Sequence, residues 1–221
     1  MGGRVSYRVN TDAPNIYRIC SSGVPIKIYG TRMNLITGHC VPSAGNSFSN
    51  NGGTVGWSYT STYPTNAWTS GAWRLLNGSS YSLSVFSGAI GSNTTLPIHG
   101  GNYGSRPLGS GLCTSGGSGG QICRYRVLTN YARETIDGVL IGHMVETQHD
   151  SNWNGLWDYG GFIGGDSGGP CYYADSSGGV IVDGVVEGTI YWLINPGGES
   201  YYCDQLSGVQ SFYGAANAYV G

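Results

Sequence analysis

The stretch Gly164-Gly165-Asp166-Ser167-Gly168-Gly169-Pro170 sets one serine among glycines. Glycine accepts backbone conformations that other residues avoid, so such a serine can occupy a sharp turn with its hydroxyl exposed. The backbone N–H groups of Gly165 and Ser167 would then converge on a developing oxyanion. A serine hydroxyl is a weak nucleophile until a base activates it. One histidine has a distinctive setting, Leu35-Ile36-Thr37-Gly38-His39-Cys40, where it ends an apolar run and is locked by a cysteine. These residue types suit nucleophilic attack on a carbonyl with His39 as general base. The competing reading is a glycine-rich turn and an unrelated core histidine. His99, His143 and His149 match no motif and read as ordinary surface or core histidines.

The elements that would carry these residues are short strands cut by turn residues. Ile26–Tyr29 ends at Gly30, and Met33–Thr37 ends at Gly38. Tyr81–Phe86 alternates with period two, and Gly138–Gly142, Val180–Val182, Gly184–Val186 and Ile190–Trp192 are short apolar runs. Short strands at this spacing predict a sandwich or barrel. One short helix is expected within 205–220, with Leu206, Val209 and Phe212 on one side. Asn50–Gly53 reads as a turn, and the Gly/Ser tract between Cys113 and Cys123 as a stapled hairpin loop. Residues 98–104 are the best boundary candidate.

Composition excludes several classes. The net charge is -2 with one lysine, which disfavours general nucleic-acid binding. Charged residues make up 10% of the chain, where about 25% is usual. Glycine supplies 40 of 221 residues without the every-third spacing of collagen, and the aromatic share of 12% argues against disorder. No apolar run reaches the roughly 18 residues of a membrane span. No basic-then-apolar signal opens the sequence, so a secreted protein would be present here in processed form. Cys20, Cys40, Cys113, Cys123, Cys171 and Cys203 contain no CxxC. With so little charge they read as three disulfides and an extracellular setting, against six buried thiols in the cytosol. No metal and no cofactor is expected.

The two motifs, in this order, resemble those of chymotrypsin-fold serine peptidases, closest to the bacterial streptogrisin and alpha-lytic type. That family reads Gly-Asp-Ser-Gly-Gly at the nucleophile and Thr-Ala-Gly-His-Cys at the base, one residue longer than Thr37-Gly38-His39-Cys40. The resemblance implies an all-β fold of two antiparallel six-stranded barrels with a short C-terminal helix. It implies barrels at 1–100 and 101–221 with the active site between them. Ser167 would be the nucleophile, His39 the base, and Gly165 with Ser167 the oxyanion hole. It pairs Cys20 with Cys40 and Cys113 with Cys123, leaving Cys171 and Cys203 on neighbouring strands. Gly164, Gly188 and Thr189 would line the substrate cleft. Gly161 and Gly164 align with the pocket floor and rim, where the lack of an acid favours an apolar side chain over Lys or Arg. Asp166 would be a buried structural acid. The family's arginine partner is replaced by Thr114, and Arg124 or Arg126 would substitute.

The family's third member, an aspartate opening a strand before mid-chain, is missing. Ser80 stands there in Ser80-Tyr81-Ser82-Leu83, and residues 40–133 contain no Asp or Glu. A second departure is complementary. Where the family has a serine that hydrogen-bonds the aspartate, Gly184-Val185-Val186-Glu187-Gly188-Thr189 carries Glu187. Glu187 is expected to meet Nδ1 of His39 in place of the missing acid. Its rivals are roles in attracting a basic substrate side chain or in simple solvation. Asp137, Asp150 and Asp158 are weaker alternatives. The expected function is a secreted serine endopeptidase, made as a zymogen, with polypeptide substrates and a protein inhibitor or pro-segment as partners. The alternative is an impaired pseudoprotease serving as a binding or structural module, with a non-peptidase hydrolase third. The sequons at Asn77 and Asn93 matter only in a glycosylating host.

Overall fold

Alternating apolar residues bounded by glycine turns give strands that bury one face. The computed structural model of the chain describes residues 6–8, 17–40, 47–50, 53–78, 81–150, 164–191 and 199–221. In chain order its early strands are β1 (Ser6–Arg8), β2 (Tyr17–Ile19), β3 (Val24–Ile28), β4 (Thr31–Thr37), β5 (Ser47–Asn50) and β6 (Gly53–Ser61). Helix α1 (Ala67–Ser70) precedes β7 (Trp73–Asn77), β8 (Ser84–Phe86) and β9 (Thr95–Gly101). There follow β10 (Gly111–Gly116), β11 (Gly120–Ile136), β12 (Val139–His149), β13 (Pro170–Ala174), β14 (Val180–Tyr191) and β15 (Glu199–Gln205). Helix α2 (Leu206–Tyr213) and β16 (Ala218–Val220) complete the order.

The strands form two main sheets beside the small β1–β2 pair. The first has the order β16-β3-β4-β7-β6-β5 and is antiparallel throughout. The second runs β13-β10-β11-β12-β15-β14, and β14 pairs back onto β13, closing six antiparallel strands into a ring. Closure removes the free edges that an open sheet would expose. The all-β, two-sheet class expected from the sequence is the class observed.

Several details differ from the sequence reading. The expected strand at Tyr81–Phe86 shortens to β8, which pairs with β9 on the outer edge of the second sheet, away from β4. Residues 98–101 of the candidate boundary belong to β9, which runs parallel to β14. The helix forms at α2 and buries Leu206 and Val209, but Phe212 is 45% exposed. Its ring meets Trp73 edge-on at 5.4 Å, trading enclosure for an aromatic contact. Beyond the helix, β16 crosses back to pair with β3 of the first sheet.

One apolar core joins the two sheets. Val24, Ile26, Leu35 and Trp73 from the first share a buried cluster with Val182, Val185, Leu206 and Val209. Three disulfides add covalent ties: Cys20–Cys40, Cys113–Cys123 and Cys171–Cys203. The last pair does not lie on neighbouring strands, as the family resemblance had implied. β13 and β15 each pair with β14, so this buried bridge links the two strands that flank it.

Candidate active site

Strand β4 starts exposed and ends in five buried residues, a gradient that brings Thr37 to the interior. A single tight turn, Gly38–Cys40, then presents His39. Three restraints fix this turn. Gly38 donates its N–H to the carbonyl oxygen of Ala72, Cys40 is bonded to Cys20, and the imidazole is only 11% exposed.

Glu187 comes from the second sheet. In the β14–β15 register Val186 faces Cys203 and Gly188 faces Tyr202, so Glu187 is the extra residue of a β-bulge. A bulge re-aims a side chain that regular alternation would point elsewhere. Glu187 is fully buried, and its Oε1 lies 2.9 Å from Nδ1 of His39. The Thr37 hydroxyl donates to the other oxygen, Oε2. A carboxylate at Nδ1 favours the tautomer with the proton on that nitrogen, leaving the Nε2 lone pair to accept a proton. Among the weaker acid candidates, Asp150 pairs with Arg126 at 2.9 Å and Asp137 sits in the β11–β12 turn. Asp158 lies outside the described residues.

The turn carrying Ser167 needs its glycines. Gly165 has φ +107° and Gly168 φ +87°, where a side chain would be strained. Ser21, next to the Cys20–Cys40 bridge, holds the turn from the first half of the chain. Its N–H donates to the Ser167 carbonyl at 2.7 Å, and its hydroxyl to the Gly165 carbonyl at 2.8 Å. The Gly117 N–H returns a hydrogen bond to that hydroxyl at 2.6 Å. Gly168 donates its N–H to the Val186 carbonyl at 2.8 Å, which sets the Ser167 turn beside the Glu187 bulge. Asp166 is buried and accepts the N–H groups of Ser118 and Gly119 at 2.9 and 2.8 Å. These backbone donors of the Gly/Ser tract are partners of the acid that the sequence reading did not name.

Of the expected cleft residues, Gly164 is exposed beside the Ser167 turn and Gly188 follows Glu187. The Thr189 side chain and Gly161 lie outside the described residues, as does Ser80. The strand that opens beside His39 is β7, and the residue ahead of it is Ala72, fully buried. The sequence reading missed Ala72, because strand order cannot be read from alternation alone. It also missed Asp204, whose carboxyl accepts the Ala72 N–H at 2.9 Å. An acid inside the run Tyr201-Tyr202-Cys203-Asp204-Gln205-Leu206 was the available signal. Cys20, His39 and Cys40 are the metal-ligand types that cluster among the described residues, but the two sulfurs are bonded to each other and offer no thiolate.

No family model and no curated protein matches the chain. Solved structures do. The chain is similar to the Nocardiopsis protease NAPase, with TM-score 0.69 and 19% identity over 99% of this chain and 96% of that one. It is similar to Cellulomonas bogoriensis chymotrypsin, with TM-score 0.66 and 20% identity over 97% and 95%. Thermobifida fusca protease A gives TM-score 0.67 and 19% identity over the same shares. At these identities the likeness is one of fold, and it extends over nearly the whole chain.

Proposed function

We propose that the chain is a secreted serine endopeptidase whose triad acid has moved to Glu187. The observation that carries this reading is the 2.9 Å contact between Glu187 Oε1 and His39 Nδ1. It is supported by the Gly165-to-Gly169 turn around Ser167 and by a fold shared with three bacterial proteases over at least 97% of the chain. The first sheet's half contributes His39, and the second sheet's half contributes Ser167 and Glu187. Ser167 Oγ attacks the peptide carbonyl while His39 Nε2 takes its proton. Glu187 holds the imidazole tautomer and stabilises the imidazolium without itself taking the proton. The N–H groups of Gly165 and Ser167 receive the oxyanion. His39 then returns the proton to the leaving amine, and water hydrolyses the acyl-enzyme on Ser167. Three disulfides suit an extracellular setting, and polypeptides are the substrates, with a pro-segment or protein inhibitor as further partners.

The test is labelling by a fluorophosphonate followed by kinetics on a peptide substrate. Ser167 labels, and Ser167→Ala abolishes labelling. Glu187→Gln lowers kcat by roughly 10³–10⁴, as loss of the carboxylate does in such triads. A folded chain that does not label is a binding module instead. A Glu187→Gln variant with normal turnover returns the acid role to another residue.

A further inference from the structure

Asp204 lies where a charged group is least welcome. It is 1% exposed on β15, opposite Val185 of β14 and Met144 of β12. Its Oδ2 accepts the Ala72 N–H at 2.9 Å, and the backbone of Gly71 packs so closely that an added Cβ there would lie 3.0 Å from Oδ1. Oδ1 is buried and has no donor among the described residues. Glu187, itself fully buried, is the neighbouring acid whose charge acts on the Asp204 carboxyl, and it sits at the β14 bulge two residues beyond Val185, the cross-strand partner of Asp204. None of the groups named around it, Met144, Gly71, Ala72 and Glu187, is cationic.

Two neighbouring carboxylates out of water resist being ionised together. A single proton held by the pair relieves this, and its surroundings decide the owner. Glu187 faces Nδ1 of His39 and the Thr37 hydroxyl, which donates to it. Asp204 faces one backbone N–H and apolar packing. Burial first, and then the neighbouring Glu187 charge, push its carboxyl well above the ordinary range. Accounting for hydrogens points the same way. With both groups ionised, two acceptors would meet with no hydrogen between them, whereas a proton on Asp204 supplies the missing donor.

We infer that Asp204 is a neutral carboxylic acid that donates a hydrogen bond to Glu187 and so acts as a positioning residue for the His39 partner. This rests on the proposed triad role of Glu187. The Asp204 proton stays in place during the reaction; Ser167 and His39 exchange theirs. Glu187 thereby has three donors: the His39 Nδ1–H, the Thr37 hydroxyl and the Asp204 hydroxyl. The Ala72 N–H anchors the far side of the arrangement.

Infrared difference spectroscopy on the whole protein at neutral pH tests this without relying on turnover. A carboxylic acid C=O band is present in the wild type, is lost in Asp204→Asn and persists in Glu187→Gln. Kinetics give a second readout. Asp204→Asn keeps both a donor and an acceptor, so kcat stays within about 3-fold, the spread expected when a hydrogen bond is kept but altered. Asp204→Ala lowers kcat about 10–100-fold at nearly unchanged KM, the factor for losing one hydrogen bond to a charged group. A wild type without the band overturns the inference. So does a band that survives Asp204→Asn and vanishes in Glu187→Gln. If Ser167 fails to label but the band behaves as stated, the peptidase reading falls and the neutral Asp204 stands. If Asp204→Ala does not fold, the spectrum of Asp204→Asn still decides.

Discussion

The backbone N–H of Ser21 donates to the carbonyl oxygen of Ser167 at 2.7 Å, so the residue after Cys20 restrains the turn that carries the proposed nucleophile. Because Cys20 is bonded to Cys40, next to His39, one covalent link braces both sides of the site.

Replacing Ser21 by alanine leaves that N–H in place but removes the hydroxyl, stranding the Gly117 N–H and the Gly165 carbonyl. Two lost partners should cost about 1–3 kcal/mol of stability. The denaturation midpoint falls, and kcat falls as Gly165 loses its support. Unchanged denaturation and kinetics would show the clamp to be redundant.

Removing the Cys20–Cys40 bridge by a double Cys→Ala change frees a loop with a sequence separation of 20. Chain entropy predicts a loss of about 3 kcal/mol, read in a denaturant titration. Turnover should fall further than the smaller unfolded fraction explains, because the His39 turn loses its anchor.

Thr37→Val keeps shape but takes the hydroxyl donor from Glu187. The expected loss is about 1.5–3 kcal/mol, the scale of a hydrogen bond to a charged group. Thr37→Ser should retain most of the wild-type rate. Equal rates for the Val and Ser variants would remove Thr37 from the site.

Placing an aspartate where β7 opens, as Ala72→Asp, should harm the protein rather than help it. The position is fully buried, and its N–H already serves the Asp204 carboxyl. A third carboxyl beside Glu187 and Asp204 brings desolvation and like-charge repulsion. Thermal unfolding should show a lower midpoint, with no gain in kcat.

Asp183 sets a pH dependence away from the site. Burial raises its carboxyl from 3.8 to about 6, against opposing help from Asn102 and Arg106. The folded state therefore holds a proton that the unfolded state releases between these values. Stability from this group is complete below about 4, falls as pH rises through about 6, and is lost above it. The full change is on the order of 3 kcal/mol. Asp183→Asn should flatten this slope in denaturant titrations at pH 4 to 7. A slope unchanged by the substitution assigns it to another group.

The sequence made the chemistry legible wherever neighbouring residues carry it. Gly165 to Gly169 and Thr37 to Cys40 announce two tight turns because a few adjacent residue types set their local conformation. The short apolar runs announced an all-β chain for the same reason. What stayed hidden depends on which strands meet. Period-two alternation assigns faces but not partners, so the Tyr81–Phe86 run read as a strand without showing that β8 lies on the second sheet's edge. Ala72 acquires its place only through pairing of β4 with β7. Glu187 was legible as an unusual residue type, whereas its aim depends on a bulge that appears only in the register against β15. Asp204 showed the reverse: an unusual residue in an apolar run, without meaning until its neighbour across the sheet is known.

The return of β16 to β3 imposes an order on synthesis. The first sheet takes an edge pairing from residues 218–220, whose partners are Ile26, Lys27 and Ile28. A ribosome releases those partners nearly two hundred residues before it supplies the strand that covers them. The His39 half therefore waits with an unpaired edge while the Ser167 half is made, and the long sequence separation of this contact slows its formation. Maturation of the two halves is tied to the same late event, so a nascent chain carries His39 and Ser167 before its fold can be complete.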